Sequence, residues 1–281
     1  MFDYLREKIK KDRPFLSLVN ISNIKKMSVY GNPERKLFSY GLSVQIRGSK
    51  GQCYKLRVSP SIKVAKEYER IIRSVRHIFP KFYGRDRNYL LFELLDGRTL
   101  DEDEKPDVFF KIGKMCAEIS KYKAGPNKKR ELESYYCKLI RTLLQKKTIS
   151  QKDYHKILDS YEYLVQKIEY DVVLVITDIK KANFMLDSHG KLYFIDEDGV
   201  DYNIKGFWFD RLDFNKEQYK AFFKGYDSVD SLCFFNKKYE RLVAFISSVS
   251  MLDFLLTLGE ETTEGFKCEL SHFLEIAKKE G

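Results

Sequence analysis

Carboxylate and amide side chains stand at the ends of apolar runs in the second half of the chain. Asp178 follows the apolar run 173–176, Asn183 comes after four further residues, and Asp196 ends the run 192–195. A carboxylate can orient a hydroxyl group and accept its proton, and carboxylate and amide oxygens are ligands that magnesium accepts. These residue types could serve proton transfer and metal binding if the fold brings them together.

A strand and a hairpin must position these side chains. The run 173–176 predicts a strand that leads into the polar loop. Past that loop, the turn sequence Asp187-Ser188-His189-Gly190 lies between two apolar segments and predicts a hairpin. A hairpin reverses the chain, so Asn183 before it and Asp196 after it are expected at the same end.

The pattern Asp-x-x-x-x-Asn followed by Ile-Asp resembles the catalytic loop and the metal-binding aspartate of the protein-kinase-like superfamily. The resemblance implies that Asp178 is the catalytic base and that Asn183 and Asp196 hold magnesium against the phosphates of ATP. Lys180 matches the Asp-x-Lys of serine/threonine kinases and would meet the γ-phosphate. The implied cofactors are ATP and magnesium, and the implied partners are a nucleotide and a hydroxyl-bearing acceptor.

The composition fits a folded protein that binds anionic ligands. The 281 residues are 43% hydrophobic and 15% aromatic, which supports a core for one large domain or two lobes. The formal net charge is +10, but lysine and arginine are spread along the chain, so nucleotides or phosphorylated substrates are expected rather than nucleic acid. The sequence has neither an apolar run of about 18 residues nor a secretion signal, so we expect no transmembrane segment and a cytoplasmic protein. The oligomeric state stays open.

The N-terminal part resembles the nucleotide-binding lobe of aminoglycoside-phosphotransferase-like kinases. The segment Ser39-Tyr40-Gly41-Leu42-Ser43 is similar to their shortened phosphate loop, in which Gly41 and Ser43 would lie against phosphate; a plain β-turn explains the segment about as well. The strand that follows would supply a cation for the α- and β-phosphates. Lys55 and Arg57 share one face of it, and Arg57 is slightly preferred because family members carry Lys or Arg there.

The helix predicted after this strand would carry the partner of the cation. Residues 61–75 have apolar residues at helical spacing and Ser61 as a candidate N-cap. In kinases a glutamate of this helix pairs with the strand cation, and both Glu67 and Glu69 qualify.

The apolar strand that begins near Tyr89 resembles the hinge of the same family. It ends in Glu93, two leucines, an aspartate and Gly97. The resemblance implies that backbone groups of Glu93 and Leu95 hydrogen-bond adenine. The acidic run 101–104 that follows predicts the start of a helix, where negative charge favours the helix dipole.

A long helical segment precedes the catalytic loop. Residues 108–122 predict one helix, and residues 125–170 predict two more, with Ser150 as an N-cap. Aminoglycoside and choline kinase-like enzymes carry such an insertion and bind their acceptor against it, whereas typical protein kinases lack it. We therefore predict an α+β, bilobal protein-kinase-like fold. Residues 1–94 would form an antiparallel β-sheet lobe that binds nucleotide, and residues 95–281 a mainly helical catalytic and substrate lobe.

The motif departs from the protein-kinase pattern at two places. Ile176 stands where a histidine usually precedes the catalytic aspartate, and Asp196-Glu197-Asp198 replaces Asp-Phe-Gly. The histidine is largely structural in kinases, and small-molecule kinases vary at the metal motif. The segments Asp210-Arg211-Leu212 and Gly225-Tyr226 are similar to aminoglycoside-kinase-like sequences.

Three functions are consistent with these residues. The first is a magnesium- and ATP-dependent phosphotransferase acting on a hydroxyl group of a small molecule or a saccharide. The second is a divergent serine/threonine protein kinase, such as a bacterial effector acting in the host cytosol; Lys180 favours it, and the helical insertion and the lack of an Ala-Pro-Glu-type segment oppose it. The third is a pseudokinase scaffold, which the joint retention of Asp178, Asn183 and Asp196 opposes.

Overall fold

Eight α-helices and ten β-strands occur in the part of the chain that the computed structural model describes, residues 2–15, 23–29, 42–48, 50–101, 104–231 and 236–278. The helices are α1 (Phe2–Asp12), α2 (Ile62–Ser74), α3 (Pro106–Ile119), α4 (Pro126–Gln145), α5 (Gln151–Lys167), α6 (Lys216–Asp227), α7 (Lys237–Leu258) and α8 (Glu264–Lys278). The strands are β1 (Asn23–Val29), β2 (Leu42–Arg47), β3 (Cys53–Val58), β4 (Phe82–Asp86), β5 (Tyr89–Glu93), β6 (Gly97–Thr99), β7 (Val172–Ile176), β8 (Phe184–Asp187), β9 (Leu192–Phe194) and β10 (Val200–Ile204).

The chain divides into two units. Unit 1 comprises Met1–Glu102 and Lys181–Asp198, and unit 2 comprises Asp103–Lys180 and Gly199–Gly281. The hairpin that follows the catalytic loop thus groups with the N-terminal part of the chain. The functional boundary expected near residue 94 stays a prediction.

A five-stranded antiparallel sheet is the centre of unit 1. Its strands lie side by side in the order β1-β2-β3-β5-β4. The predicted β2–β3 hairpin and the predicted hinge strand β5 therefore share one sheet. A second sheet of unit 1, in the order β6-β8-β9, contains the hairpin predicted around Asp187. The carboxylate of Asp187 accepts hydrogen bonds from the N–H groups of His189 and Lys191, both at 2.9 Å, which closes the turn.

Alternation along β3 separates an apolar face from a charged one. Leu56 and Val58 are buried in a hydrophobic cluster together with apolar residues of β2 and α1. Lys55 and Arg57 lie on the other face, because side chains two residues apart on a strand point to the same side. In the register, Arg57 is opposite Ser43 of β2. The strand thus holds two cations in fixed positions on a sheet that is anchored from its apolar side.

Helix α2 begins where the sequence predicts. The hydroxyl of Ser61 accepts a hydrogen bond from the N–H of Val64 at 3.2 Å, which satisfies one of the donors left open at a helix start. Ala65, Ile71 and Ile72 are buried on the side that packs against β4 and β5. The helix therefore has a fixed apolar face, and its charged residues lie on the remaining surface.

Helices dominate unit 2. A large apolar cluster is formed by residues of α4, α5, α7 and α8 and of the two-stranded sheet β7–β10. The two helices predicted between residues 125 and 170 are confirmed as α4 and α5, and the Ser150 hydroxyl accepts from the N–H of Asp153 at 3.1 Å, as expected of an N-cap. The predicted helix start in the acidic run 101–104 is wrong, since α3 begins at Pro106. Proline suits a first helical position because its missing N–H has no partner there anyway.

Helices α3 and α6 of unit 2 approach each other at two glycines. A methyl group on Gly113 would lie 1.9 Å from the carbonyl oxygen of Phe222, and one on Gly225 would lie 2.0 Å from that of Phe110. Both distances are far below van der Waals contact, so neither position can hold a side chain without moving the other helix. The Gly225-Tyr226 pair of the sequence therefore has a packing reason.

One helix among the described residues, α7, is long and apolar enough to cross a membrane by length and composition alone. Half of the 18-residue apolar stretch of α7 is buried inside the structure. The same helix contributes Leu242, Phe245 and Val249 to the core of unit 2. This burial is typical of a helix in the core of a folded domain.

Candidate active site

The catalytic loop follows β7 in unit 2. The N–H of Thr177 donates to the carbonyl of Gly199 at 2.8 Å, which ties the start of the loop to the chain entering β10. The carboxylate of Asp178 is partly exposed, and the Nζ of Lys180 lies 3.0 Å from its Oδ1 and 3.1 Å from its Oδ2. Lys180 is 68% exposed, so water screens this ion pair and it is weak. The geometry leaves the carboxylate accessible to an incoming hydroxyl group.

The two predicted metal ligands flank the hairpin of unit 1. Asn183 ends a short 3₁₀ turn, Lys181–Asn183, and its carbonyl accepts a hydrogen bond from the N–H of Ile195 at 2.9 Å. Asp196 is the next residue in the chain. The hairpin therefore brings the backbones of Asn183 and Asp196 to the same end, as its turn sequence indicates.

Strand β3 presents its two cations to the segment that follows the hairpin. The Nζ of Lys55 donates to the carbonyl of Ile195 at 2.6 Å and lies 2.6 Å from Oε1 of Glu197. The guanidinium of Arg57 is buried and forms an ion pair through Nη2 with the carboxylate of Asp198. Both candidate phosphate cations thus contact the segment that carries Asp196.

The glutamates of α2 have partners outside this cluster. Glu69 accepts from Nε of Arg85 at 2.6 Å and from Nη2 of Arg73 at 2.8 Å. Glu67 lies on the surface, 3.8 Å from Nη2 of Arg70. The expectation that an α2 glutamate neutralises the strand cation is therefore not met for Glu69, whose carboxylate is engaged by β4 and by its own helix. Carboxylates of the metal motif stand against the two cations instead.

Ser43 lies in a strand rather than in a phosphate loop. It is the second residue of β2, it is buried, and its hydroxyl is 3.5 Å from Nη1 of Arg57. In this structure the side chain supports the arginine. Gly41, the other residue predicted for that loop, lies outside the described residues.

The hinge groups are only partly available to a ligand. The N–H of Glu93 donates to the carbonyl of Lys81 at 2.8 Å, so this donor serves the sheet. Residues 94–96 belong to neither a helix nor a strand. The carbonyl of Glu93 and the backbone of Leu95 remain the predicted adenine contacts.

Negative charge accumulates around Asp196. Burial, followed by the charges of Asp198 and Glu197, raises the pKa of Asp196 to about 8, although Arg57 acts in the opposite direction. For Arg57, burial lowers the pKa, but the carboxylates of Asp198, Glu197 and Asp196 outweigh it and raise the pKa above its ordinary value. Two cations thus meet three carboxylates, and because the pKa of Asp196 is raised to about 8, a bound cation would favour the ionised form of this carboxylate near neutral pH.

These residues fit a magnesium ion. A hard divalent cation takes carboxylate and amide oxygens and keeps positions for water and phosphate. Asn183 and Asp196 would hold it, and the positive charge of the ion would stabilise the ionised form of the Asp196 carboxylate. Within the described residues no group of three or more His, Cys, Asp or Glu side chains could hold a metal alone. The ion would therefore need phosphate oxygens as further ligands.

Glu197 and Asp198 were not among the predicted site residues. From the sequence they were seen only as part of a departure from the protein-kinase motif. One signal was present: consecutive carboxylates directly after a buried strand require cationic partners, because an unpaired buried charge is costly. The cationic partners could also be seen in the sequence, since Lys55 and Arg57 lie on one face of the predicted strand.

Solved structures of low sequence identity share this fold. Choline kinase LicA from Streptococcus pneumoniae aligns over 97% of this chain and 98% of its own, with a TM-score of 0.63 and 14% identity. Ethanolamine kinase from Plasmodium vivax aligns over 90% and 82%, with a TM-score of 0.59 and 15% identity. Macrolide 2′-phosphotransferase MphH from Brachybacterium faecium aligns over 99% of both chains, with a TM-score of 0.60 and 10% identity. The predicted α+β protein-kinase-like fold is confirmed.

The sequence itself identifies the family within that fold. The family model for choline/ethanolamine kinase matches residues 61–218, from the N-cap of α2 into α6, which is more than half of the chain. No curated protein sequence matches the chain. The chain belongs to the choline/ethanolamine kinase family. It is an ATP-dependent kinase that transfers phosphate to a hydroxyl acceptor.

Proposed function

We propose that the chain transfers the γ-phosphate of magnesium–ATP to a hydroxyl group of a small molecule or a saccharide. The similar solved proteins are, by their names, kinases of ethanolamine and choline and phosphotransferases of spectinomycin and macrolides, which are all small hydroxyl-bearing molecules. A cytoplasmic location, where ATP is supplied, remains our expectation.

The observation that carries this proposal is the charged cluster around Asp196. Lys55 and Arg57 offer positive charge for the α- and β-phosphates, while Asp196 sits among buried carboxylates that favour a cation. A site that needs both a polyanion and a divalent cation matches magnesium–ATP.

The reaction needs one proton acceptor. The acceptor's hydroxyl oxygen forms a bond to the γ-phosphorus, the bond from that phosphorus to the bridging oxygen breaks, and ADP leaves. Asp178 takes the hydroxyl proton, since its carboxylate lies in the loop after β7 and is accessible. Lys180 would leave its ion pair with Asp178 and bind the γ-phosphate instead. This change of partner costs little, because the ion pair is exposed and weak. Magnesium, when bound, supplies charge neutralisation for the phosphates.

A divergent serine/threonine protein kinase is the second candidate. The contact of Lys180 with both oxygens of Asp178 favours it, because the Asp-x-Lys spacing belongs to that class. The helices α3, α4 and α5, which precede the catalytic loop, favour a small-molecule acceptor. The two candidates differ in the size of the acceptor and not in the chemistry of transfer.

An acceptor panel distinguishes the candidates. Purified protein is given magnesium–ATP and, separately, choline, ethanolamine, an aminoglycoside, a macrolide, a sugar mixture and a protein kinase substrate mixture, and ADP release is measured. We expect release to depend on one small-molecule class and to vanish in Asp178→Asn. Release that requires the protein mixture alone would support the protein-kinase reading, and ATP binding without any transfer would favour the pseudokinase.

A further inference from the structure

Both cations of β3 contact carboxylates of the segment that carries Asp196. Lys55 contacts Glu197 and Arg57 contacts Asp198, and these two carboxylates directly follow Asp196 in sequence. We propose that Glu197 is the positioning residue that sets Lys55 for phosphate binding, the task that sequence analysis gave to a glutamate of α2. This inference rests on the proposed binding of magnesium–ATP and deepens it.

Two contacts of Lys55 come from one short segment. Its Nζ donates to the carbonyl of Ile195 and forms an ion pair with Glu197, each at 2.6 Å. Ile195 and Glu197 are the neighbours of Asp196. The ammonium group and the metal-binding carboxylate are therefore fixed to the same three residues. The Lys55 ammonium and the Asp196 carboxylate would both act on one triphosphate. The distance between these two groups therefore matters more for nucleotide binding than the position of either group in the unit.

Burial makes Glu197 suited to this task. Its side chain is 1% exposed, and neither carboxylate oxygen has a hydrogen-bond partner among the described residues, so the close contact with Lys55 is an ion pair without hydrogen-bond geometry. A desolvated carboxylate of this kind is strongly attracted to the nearest cation, because little water screens the charge. Lys55 is that cation. Its ammonium group has three donors, so the contacts with this segment still allow one to reach a phosphate.

The α2 glutamate is committed elsewhere. Glu69 bridges Arg73 and Arg85 at 2.8 and 2.6 Å, which ties α2 to β4. Helix α2 therefore acts as a fixed brace of the sheet. In protein kinases the position of this helix controls the lysine through its glutamate. Here the lysine contacts Glu197 and the carbonyl of Ile195, so ATP binding is expected to be independent of the charge of Glu69.

The test compares four single variants and one double variant of the full chain. They are Glu197→Gln, Lys55→Met, Glu69→Gln and Glu7→Gln, together with Glu197→Gln/Lys55→Met. Glu7 is the matched control, since it forms a surface Lys–Glu pair at 2.7 Å in the same unit. Isothermal titration measures the affinity for magnesium–ATP and for adenosine, which has the base and sugar but no phosphate.

We expect Glu197→Gln to weaken magnesium–ATP binding by about threefold to fivefold, because a buried charge loses its partner and the lysine loses its orientation. Adenosine affinity should change by less than about twofold, which a general structural defect would not achieve. The double variant should bind magnesium–ATP no more weakly than Lys55→Met, since Glu197 acts through that lysine. Glu69→Gln and Glu7→Gln should bind like the wild type.

Three results would overturn the proposal. Tighter ATP binding in Glu197→Gln would mean that the carboxylate competes with phosphate for Lys55. Additive losses in the double variant would mean that Glu197 acts on another group, such as the metal ion. A loss in Glu69→Gln as large as that in Glu197→Gln would return the task to α2.

A second variant covers misfolding. Glu197→Asp keeps the charge and shortens the side chain, so it should fold and lose a smaller part of the ATP affinity; wild-type affinity in this variant would argue against positioning. The outcome is separate from that of the proposed function. ATP binding with these dependences but no transfer to any acceptor would refute the function and keep the inference, while a wild-type chain that binds no magnesium–ATP would refute both.

Discussion

Each unit of this kinase contains an arginine in an ion cluster, buried in the case of Arg57 and partly buried in the case of Arg211, and the two clusters differ in how their carboxylates are satisfied. In unit 2, Arg211 donates to both oxygens of Glu269 at 2.9 and 2.5 Å and to the Ser248 hydroxyl at 2.9 Å. In unit 1, Arg57 reaches one oxygen of Asp198, and the other oxygen has no hydrogen-bond partner among the described residues. Both oxygens of Glu197 share that state.

The difference indicates which cluster serves stability and which serves a ligand. Both oxygens of Glu269 accept hydrogen bonds from Arg211, so a ligand has nothing to add to this carboxylate, although Nε of Arg211 has no hydrogen-bond partner among the described residues. A carboxylate oxygen that is buried without a hydrogen bond, such as Oδ1 of Asp198, leaves an acceptor for a ligand. Burial and neighbouring charge also raise the pKa of Asp196, which a bound cation would reverse. An incomplete polar cluster in an otherwise well-packed lobe is therefore the signature of the site.

The largest expected effect follows from removing the carboxylate at the centre of the incomplete cluster. Asp196→Ala should weaken magnesium–ATP binding strongly and lower turnover on the order of 10³-fold or more, because it removes a proposed ligand of the ion that neutralises the phosphates. The fold should not be weakened, since repulsion from Asp198 and Glu197 falls. Titration calorimetry and thermal unfolding measure the two quantities. Normal nucleotide binding in this variant would place the ion elsewhere.

Asp178→Ala should separate chemistry from binding. Its carboxylate acts on the acceptor hydroxyl, so we expect turnover to fall by about 10²–10⁴-fold while magnesium–ATP affinity changes by less than about twofold. Single-turnover rates with the acceptor found in the panel and titration with the nucleotide provide the comparison. If the variant lost nucleotide binding and kept its rate, the assigned roles of Asp178 and Asp196 would have to be exchanged.

The complete cluster should respond in stability alone. Glu269→Ala leaves Arg211 without its bidentate partner, and breaking such a pair costs about 3 kcal/mol of unfolding free energy. Chemical denaturation measures this loss, and magnesium–ATP affinity should stay at the wild-type value. Glu264→Ala on the same helix is the control, because Glu264 is 89% exposed in its pair with Lys267 and should change stability by less than about 0.5 kcal/mol. Equal losses in the two variants would remove the contrast between the clusters.

The smallest effect concerns the choice between the two cations of β3. Single replacements by alanine should give one larger and one smaller loss of ATP affinity, and we expect Arg57→Ala to be the larger, on the order of tenfold. Its guanidinium is the more buried of the two, so less water screens its field. Titration calorimetry decides the order. Negligible losses in both variants would exclude both residues from the phosphate site.

Local sequence signals predicted the fold better than they predicted the contacts of the site. Ser61 and Ser150 cap helices where the sequence places them, because an N-cap needs only the residue and the backbone of its own first turn. The turn at Asp187 is equally local. These signals act over three or four residues, and they recovered the order of helices and strands around the site.

Partner choice in the site could not be obtained in this way. Lys55 meets Ile195 across 140 residues of chain, whereas Glu69 lies near Lys55 in sequence and pairs with Arg85. Which carboxylate reaches the lysine depends on how the hairpin docks on β3, and no pattern within either segment encodes that distance. The start of α3 failed for a simpler reason, since the acidic run before Pro106 suits a helix start as well as the proline does.

The glycine contact between α3 and α6 has a consequence for exchange with solvent. Because Gly113 and Gly225 let the two backbones touch, neither helix can open without exposing the other. Their amide hydrogens are therefore expected to exchange with deuterium together, as one cooperative unit with a common opening free energy. Among the described residues, helix α1 has no such glycine contact with another helix. Its amide hydrogens should therefore exchange independently and faster. Hydrogen exchange measured by mass spectrometry would then show α3 and α6 exchanging together and apart from α1, whether or not a ligand is bound.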